Sequence, residues 1–191
     1  MFFFSVVNVN ERTSVVSNEG DNPPPLIIMA SVPPIYIDNN WTETVFNYGW
    51  CTGSGLYTDP YVIKNVEIDA HGSKTGIFIA NTTEYFRIQN CDIYNSGIKN
   101  QTDPNPENLS GSAIELKNVR NAKIMQNNCT KNIGCGIRFS AGCFHCTIER
   151  NFVSENEQCG IHLSEGCYDI TISENNVTYN DYVGILLSQR P

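Results

Sequence analysis

Apolar residues in this chain come in pairs spaced by two, and the pairs return on a fixed period. Gly136-Ile137, Gly160-Ile161 and Gly184-Ile185 follow one another at intervals of 24 residues, and Ala113-Ile114 precedes the first of them by 23. Gly76-Ile77 joins the series once a longer loop around 97–110 is allowed. Each step opens a pair: Ile77/Ile79, Ile114/Leu116, Ile137/Phe139, Ile161/Leu163 and Ile185/Leu187. A second set of pairs is Phe86/Ile88, Ala122/Ile124, Cys146/Ile148 and Ile170/Ile172, and five residues on stand Ile93, Cys129, Val153 and Val177. Alternation with a spacing of two predicts short strands with one face inward. Asn, Gly or Ser ends each strand, and no helical run is long enough to cover a flat parallel sheet. The pattern therefore predicts an all-β fold, a parallel β-helix solenoid of about 24 residues and three short strands per coil.

The polar positions carry the same period. Asn127, Asn151 and Asn175 fall in one column, and Asn132, Asn156 and Asn180 in another. Asparagine tolerates left-handed backbone angles, and its amide can bond to the coil above and the coil below. A column of asparagines on a shared period is therefore a corner device rather than general surface polarity.

The stretches "GIRFSAGCFHCTIERNFVSEN" and "GIHLSEGCYDITISENNVTYN" resemble right-handed parallel β-helix repeats of the NosD-like and pectin-lyase-like superfamily. The upstream run "GWCTGSGLYTDPYVIKNVEIDAHG" is similar to the opening segment of archaeal surface proteins in that group. The resemblance covers roughly residues 35–187 and implies a right-handed solenoid with an N-terminal cap. Its functional implication is broad, since the superfamily holds lyases, hydrolases, epimerases and non-catalytic proteins. The expected organisation is a linker, signal remnant or disordered segment over 1–34, a cap over 35–60, and coils over 61–191. In the cap, Thr42 would N-cap a short helix in "WTETVFNYGW". The last segment, "GILLSQRP", opens a coil and breaks off, which suggests a solenoid lacking its C-terminal coils.

Charge narrows the partners. A formal net charge of −8 over 191 residues leaves no basic stripe for phosphates, so nucleic acid is not an expected partner. "MFFFSVV" is too short to span a membrane. Six N-x-S/T sequons, at Asn40, Asn81, Asn100, Asn108, Asn128 and Asn176, suit an extracellular or cell-surface glycoprotein. Asn100 and Asn108, in the inserted loop, are the expected acceptors.

Eight cysteines invite a metal or disulfide reading. Most stand where other coils carry Val, Ile or Ala. Cys135 and Cys159 share a column with Val183, Cys146 with Ile170 and Ala122, and Cys129 with Ile93, Val153 and Val177. The expectation is a ladder of core thiols, since free cysteine packs like a small hydrophobe. Stacked Cys135–Cys159 or Cys143–Cys167 bridges stay sterically open. "CFHC" has a metal-binding spacing, and the NosD resemblance links it to copper handling, but Cys146 should point inward and His145 outward. No metal site is assigned.

Candidate binding residues are few. Glu157 and Asp181 share a corner column and could hold a cation together. Glu115, Arg138 and His162 line up on an outward strand face, which reads as a solvated ladder of mixed charges or, as the alternative, a shallow site with a titrating His. Asp103, Glu107 and Asn108 project from the inserted loop and could take calcium, the one cofactor the acids allow. The run of closely spaced aspartates that polygalacturonase-like members of that superfamily carry is missing, so no catalytic residue is assigned. The expected function is a binding or structural domain for a carbohydrate or a surface protein. The alternatives are a polysaccharide lyase, hydrolase or epimerase, or a copper-handling NosD-like protein.

Overall fold

The computed structural model describes residues 13–14, 27–72, 75–98, 111–164 and 166–188. The described residues open with β1 (Thr13–Ser14) paired antiparallel to β2 (Ile27–Ile28), followed by β3 (Ala30–Ser31) and β4 (Ile35–Asp38). Helix α1 (Trp41–Asn47) and β5 (Cys51–Thr52) come next. From there three parallel stacks wind in repeating order. The first holds β6 (Tyr61–Lys64), β9 (Phe86–Gln89), β12 (Ala122–Met125), β15 (Phe144–Glu149) and β18 (Tyr168–Ser173). The second holds β7 (Val66–Asp69), β10 (Asp92–Tyr94), β13 (Asn128–Thr130), β16 (Phe152–Ser154) and β19 (Asn176–Thr178). The third holds β8 (Ile77–Thr82), β11 (Ile114–Val119), β14 (Ile137–Ser140), β17 (Cys159–Leu163) and β20 (Val183–Leu187). This is a three-sheet parallel β-helix.

Register follows the apolar period. Ile77, Ile114, Ile137, Ile161 and Ile185 pair in succession, as do Ile93, Cys129, Val153 and Val177. The inward residues of the three sheets form one apolar core along the axis. Stacking starts earlier than residue 61. β3 already lies parallel to β7, and β4 pairs with β8 as Ile35 with Ile77 and Ile37 with Ile79. Residues 30–38 are thus coil rather than linker or cap.

The cap is α1 and β5. Trp41 is buried, its ring stacks on Tyr61 at 4.8 Å, and its indole N–H donates to Thr82 Oγ1 at 3.0 Å. An apolar helix face thereby covers the first sheet where β5 meets β6 antiparallel. The flanking residue is Asn40, two positions before the expected N-cap Thr42, which lies inside the helix. Asn40 makes no side-chain cap; its Oδ1 instead accepts the Asp38 N–H at 3.0 Å, closing the sharp exit from β4.

Corners are built from single residues and amide ladders. Asn65, Asn90, Gln126, Arg150 and Glu174 each hold a left-handed backbone at the turn from the first sheet to the second. Directly after them, Asn151 Oδ1 accepts the Asn127 N–H and Nδ2–H, while its own Nδ2 donates to Asn175 Oδ1 at 2.9 Å. Asn132, Asn156 and Asn180 repeat this arrangement at the far end of the second sheet. Each buried amide satisfies backbone groups that the corner would otherwise strand, which is where a hydrogen bond matters most.

Candidate functional site

The third sheet opens on a device that the two-residue spacing conceals. A Cβ on Gly136 would lie 2.2 Å from Val153 Cγ1, and one on Gly160 2.3 Å from Val177 Cγ1. These glycines therefore face the core, and the isoleucines that follow them face it too. Two inward residues in succession shift the alternation, so the residue before the glycine points the other way. Cys135 and Cys159 accordingly lie outside the continuous apolar core, although both are buried. They are the buried free thiols expected, but they stand apart from the cluster that the other cysteines join.

The same shift places Cys159 beside His162. His162 was expected in a solvated ladder, yet it is 3% exposed, and its Nε2 lies 2.7 Å from Ser188 Oγ. Its column does run Glu115, Arg138, His162, Leu186. The ligand atoms of Cys135, Cys159 and His162 fall within 4.8 Å of one another, the one such Cys/His/Asp/Glu group of three among the described residues. Cys159 is drawn below the ordinary thiol range, chiefly by the hydrogen bond from Cys135 and further by the charge of Arg138. Cys135 is pushed up, first because its proton is shared with Cys159 and then by burial.

The other cysteines behave as core. All eight are buried and unbridged. Burial pushes Cys51, Cys91 and Cys146 up to about 12. Cys143 and Cys167 share a hydrogen bond that raises the first and draws the second down to about 7. "CFHC" does not converge, since Cys146 packs in the core while exposed His145 pairs with Asp169 at 3.1 Å.

A cleft of about 600 Å³ opens where the second sheet turns toward the third. His71, Asn95, Lys131, Glu155 and Glu157 supply its polar groups, with Ile98 and Ile133 as apolar wall. His71 is held by its turn, since its backbone N–H donates to Asp69 Oδ1 at 3.0 Å. Glu157 and Asp181 occupy the shared column, as their backbone N–H groups donate to Asn132 and Asn156 carbonyls one coil back. Of the two, only Glu157 lines the cleft. Asp103, Glu107 and Asn108, together with the Asn100 acceptor, lie outside the described residues.

The family model for the right handed beta helix region matches residues 35–191. This chain belongs to the right-handed β-helix family. No curated protein and no solved structure gives a significant match. On this β-helix, two of the sequon asparagines are engaged within the coils: Asn81 Nδ2 donates to Asp38, and Asn128 Nδ2 to Asp92. No helix among the described residues is long and apolar enough to cross a membrane. The outer face of the β-helix also carries stacked aromatics, Tyr36 on Phe78 at 5.0 Å and Phe144 on Tyr168 at 4.8 Å. The cleft could not be read from sequence, because it joins residues from four successive coils. The sulfur–imidazole cluster had a signal, the nine-residue frame "CGIRFSAGC" repeated as "CGIHLSEGC", but strict alternation pointed its cysteines inward.

Proposed function

We propose that this β-helix is an exported or surface-displayed binding domain that holds a carbohydrate chain without cleaving it. The cleft at the corner carries the reading. Its volume lies within the range of small-ligand sites, and its mixture of amide, ammonium, imidazole and carboxylate groups around two isoleucines suits hydroxyl-rich, partly apolar sugar faces. The net charge of −8 favours neutral or cationic sugars over polyanions. The solenoid is a suitable scaffold, since the strands that carry these groups are already paired coil to coil.

A polysaccharide panel, with and without calcium, tests it by scoring retention and new chain ends in the same wells. Retention without new ends, reduced about tenfold or more by Lys131→Ala and Glu157→Gln, is the expected result. New chain ends would make the domain an enzyme and turn attention to Glu155 and Glu157, which line the same cleft. Absence of retention by every glycan would overturn carbohydrate binding in favour of a protein partner.

A further inference from the structure

We propose that Cys135, Cys159 and His162 form a binding site for one thiophilic d10 cation, Zn²⁺ or Cu⁺. The site is distinct from the cleft, sharing none of its lining residues, and does not depend on the carbohydrate reading.

Convergence is the first argument. Two sulfurs and an imidazole nitrogen stand within 4.8 Å of one another in a buried place. A tetrahedral cation with bonds of about 2.3 Å to sulfur and about 2.0 Å to nitrogen needs ligand atoms about 3.5–3.8 Å apart, so small side-chain adjustments close the site. Sulfur and imidazole donors select soft cations over calcium or magnesium, which take oxygen.

The surroundings meet the needs of thiolates rather than thiols. The Cys135 thiol donates to Gln158 Oε1 at 3.8 Å, while Gln158 Nε2 is buried without a hydrogen-bond partner. A turn of that amide would give a charged sulfur the donor it lacks. Arg138 stands one coil below His162, and its Nε is likewise buried without a partner. Two thiolates, a neutral imidazole and a monovalent cation sum to −1, which the guanidinium offsets; with a divalent cation the cluster itself is neutral. Ser188 holds His162 Nε2 and fixes the ring, as outer groups do around ligating histidines. Binding would release the two thiol protons to solvent as both sulfurs take the cation, so affinity should rise with pH.

The cluster is also bounded. Ser112 precedes Cys135 in the column, and Val183 follows Cys159. Sulfur thus meets imidazole at one level of the stack. Val183 also identifies a replacement for the cysteines that this backbone already accepts.

The test uses the 191-residue chain, reduced and freed of metal. Addition of Co²⁺ should give near-ultraviolet thiolate-to-metal absorption saturating at one equivalent, and Zn²⁺ or Cu⁺ in separate arms should abolish it. Whichever displaces at lower concentration identifies the preferred cation. The Cys135→Val/Cys159→Val chain should lose the band while keeping wild-type circular dichroism. Ser188→Ala should weaken binding by about 10–100-fold, and His162→Gln at least as much. Cys146→Ile, which copies residue 170 into the core position, should bind as wild type. A missing band in the wild-type chain, or a band that survives the double valine substitution, overturns the proposal.

Discussion

At the level of single residues, the steps that matter most are the glycines that open the third sheet. Gly160 is enclosed: an added Cβ would stand 2.3 Å from Val177 Cγ1 and 2.6 Å from the Gly184 carbonyl oxygen. Gly184, at the same step one coil later, has only Val177 Cγ1 at 3.7 Å, an ordinary contact. Gly160→Ala should therefore cost about 1–3 kcal/mol as an overpacked core site. Gly184→Ala should stay within about 0.5 kcal/mol. Urea denaturation of the two variants reads the difference directly, and equal midpoints would contradict the crowding argument. These glycines also explain what was hard to see in the sequence. Counting back by two from Ile137 and Ile161 puts Cys135 and Cys159 in the continuous apolar cluster, from which both are missing. An alternation rule has no way to register that a residue without a side chain has used an inward place. Corner residues were hidden for a related reason. Asn65 and Asn90 look like corner formers, but Gln126, Arg150 and Glu174 hold the same left-handed backbone without the usual composition.

For the coils, the asparagine ladders set the strength of the corners. Asn156 Nδ2 donates to the Cys129 carbonyl at 3.1 Å and to Asn180 Oδ1 at 2.8 Å, while its Oδ1 takes the Asn132 N–H at 3.1 Å. Truncation would strand buried backbone groups in a place that water does not reach. Asn156→Ala should cost about 3 kcal/mol or more. Asn180→Ala, at a partly exposed position, should cost about 1 kcal/mol. Thermal melts of both would check the order, and a reversed order would mean that the ladder is ornamental. This part of the architecture was legible in advance, because a ladder needs the same residue at the same phase of every coil. Strand pairing was legible for the same reason, down to the partners of Ile93, Cys129, Val153 and Val177. The first coil was not. Ile35 and Ile37 pair with Ile77 and Ile79, but α1 and β5 intervene before the next strand and break the period.

At the scale of the whole molecule, the solenoid is held by nearest-neighbour contacts, and its stability is close to a sum of coils and coil interfaces. The described residues at the far side of β17 fit this picture: Ile161 is fully buried, whereas Ile185, its neighbour in β20, is 45% exposed. The cleft belongs to this scale as well, since no coil contains it and no local motif announces it. A further consequence lies in the constant spacing of the asparagine columns. Removing residues 136–159 excises 24 residues and joins Cys135 to Gly160, a junction in which every remaining column keeps its phase. That shorter chain should fold, with a lower melting temperature, whereas a cut of 23 would throw Asn175 and Asn180 out of step with Asn127 and Asn132. The fold thus measures its own length in whole coils, and chain can be gained or lost here in units but not in fractions.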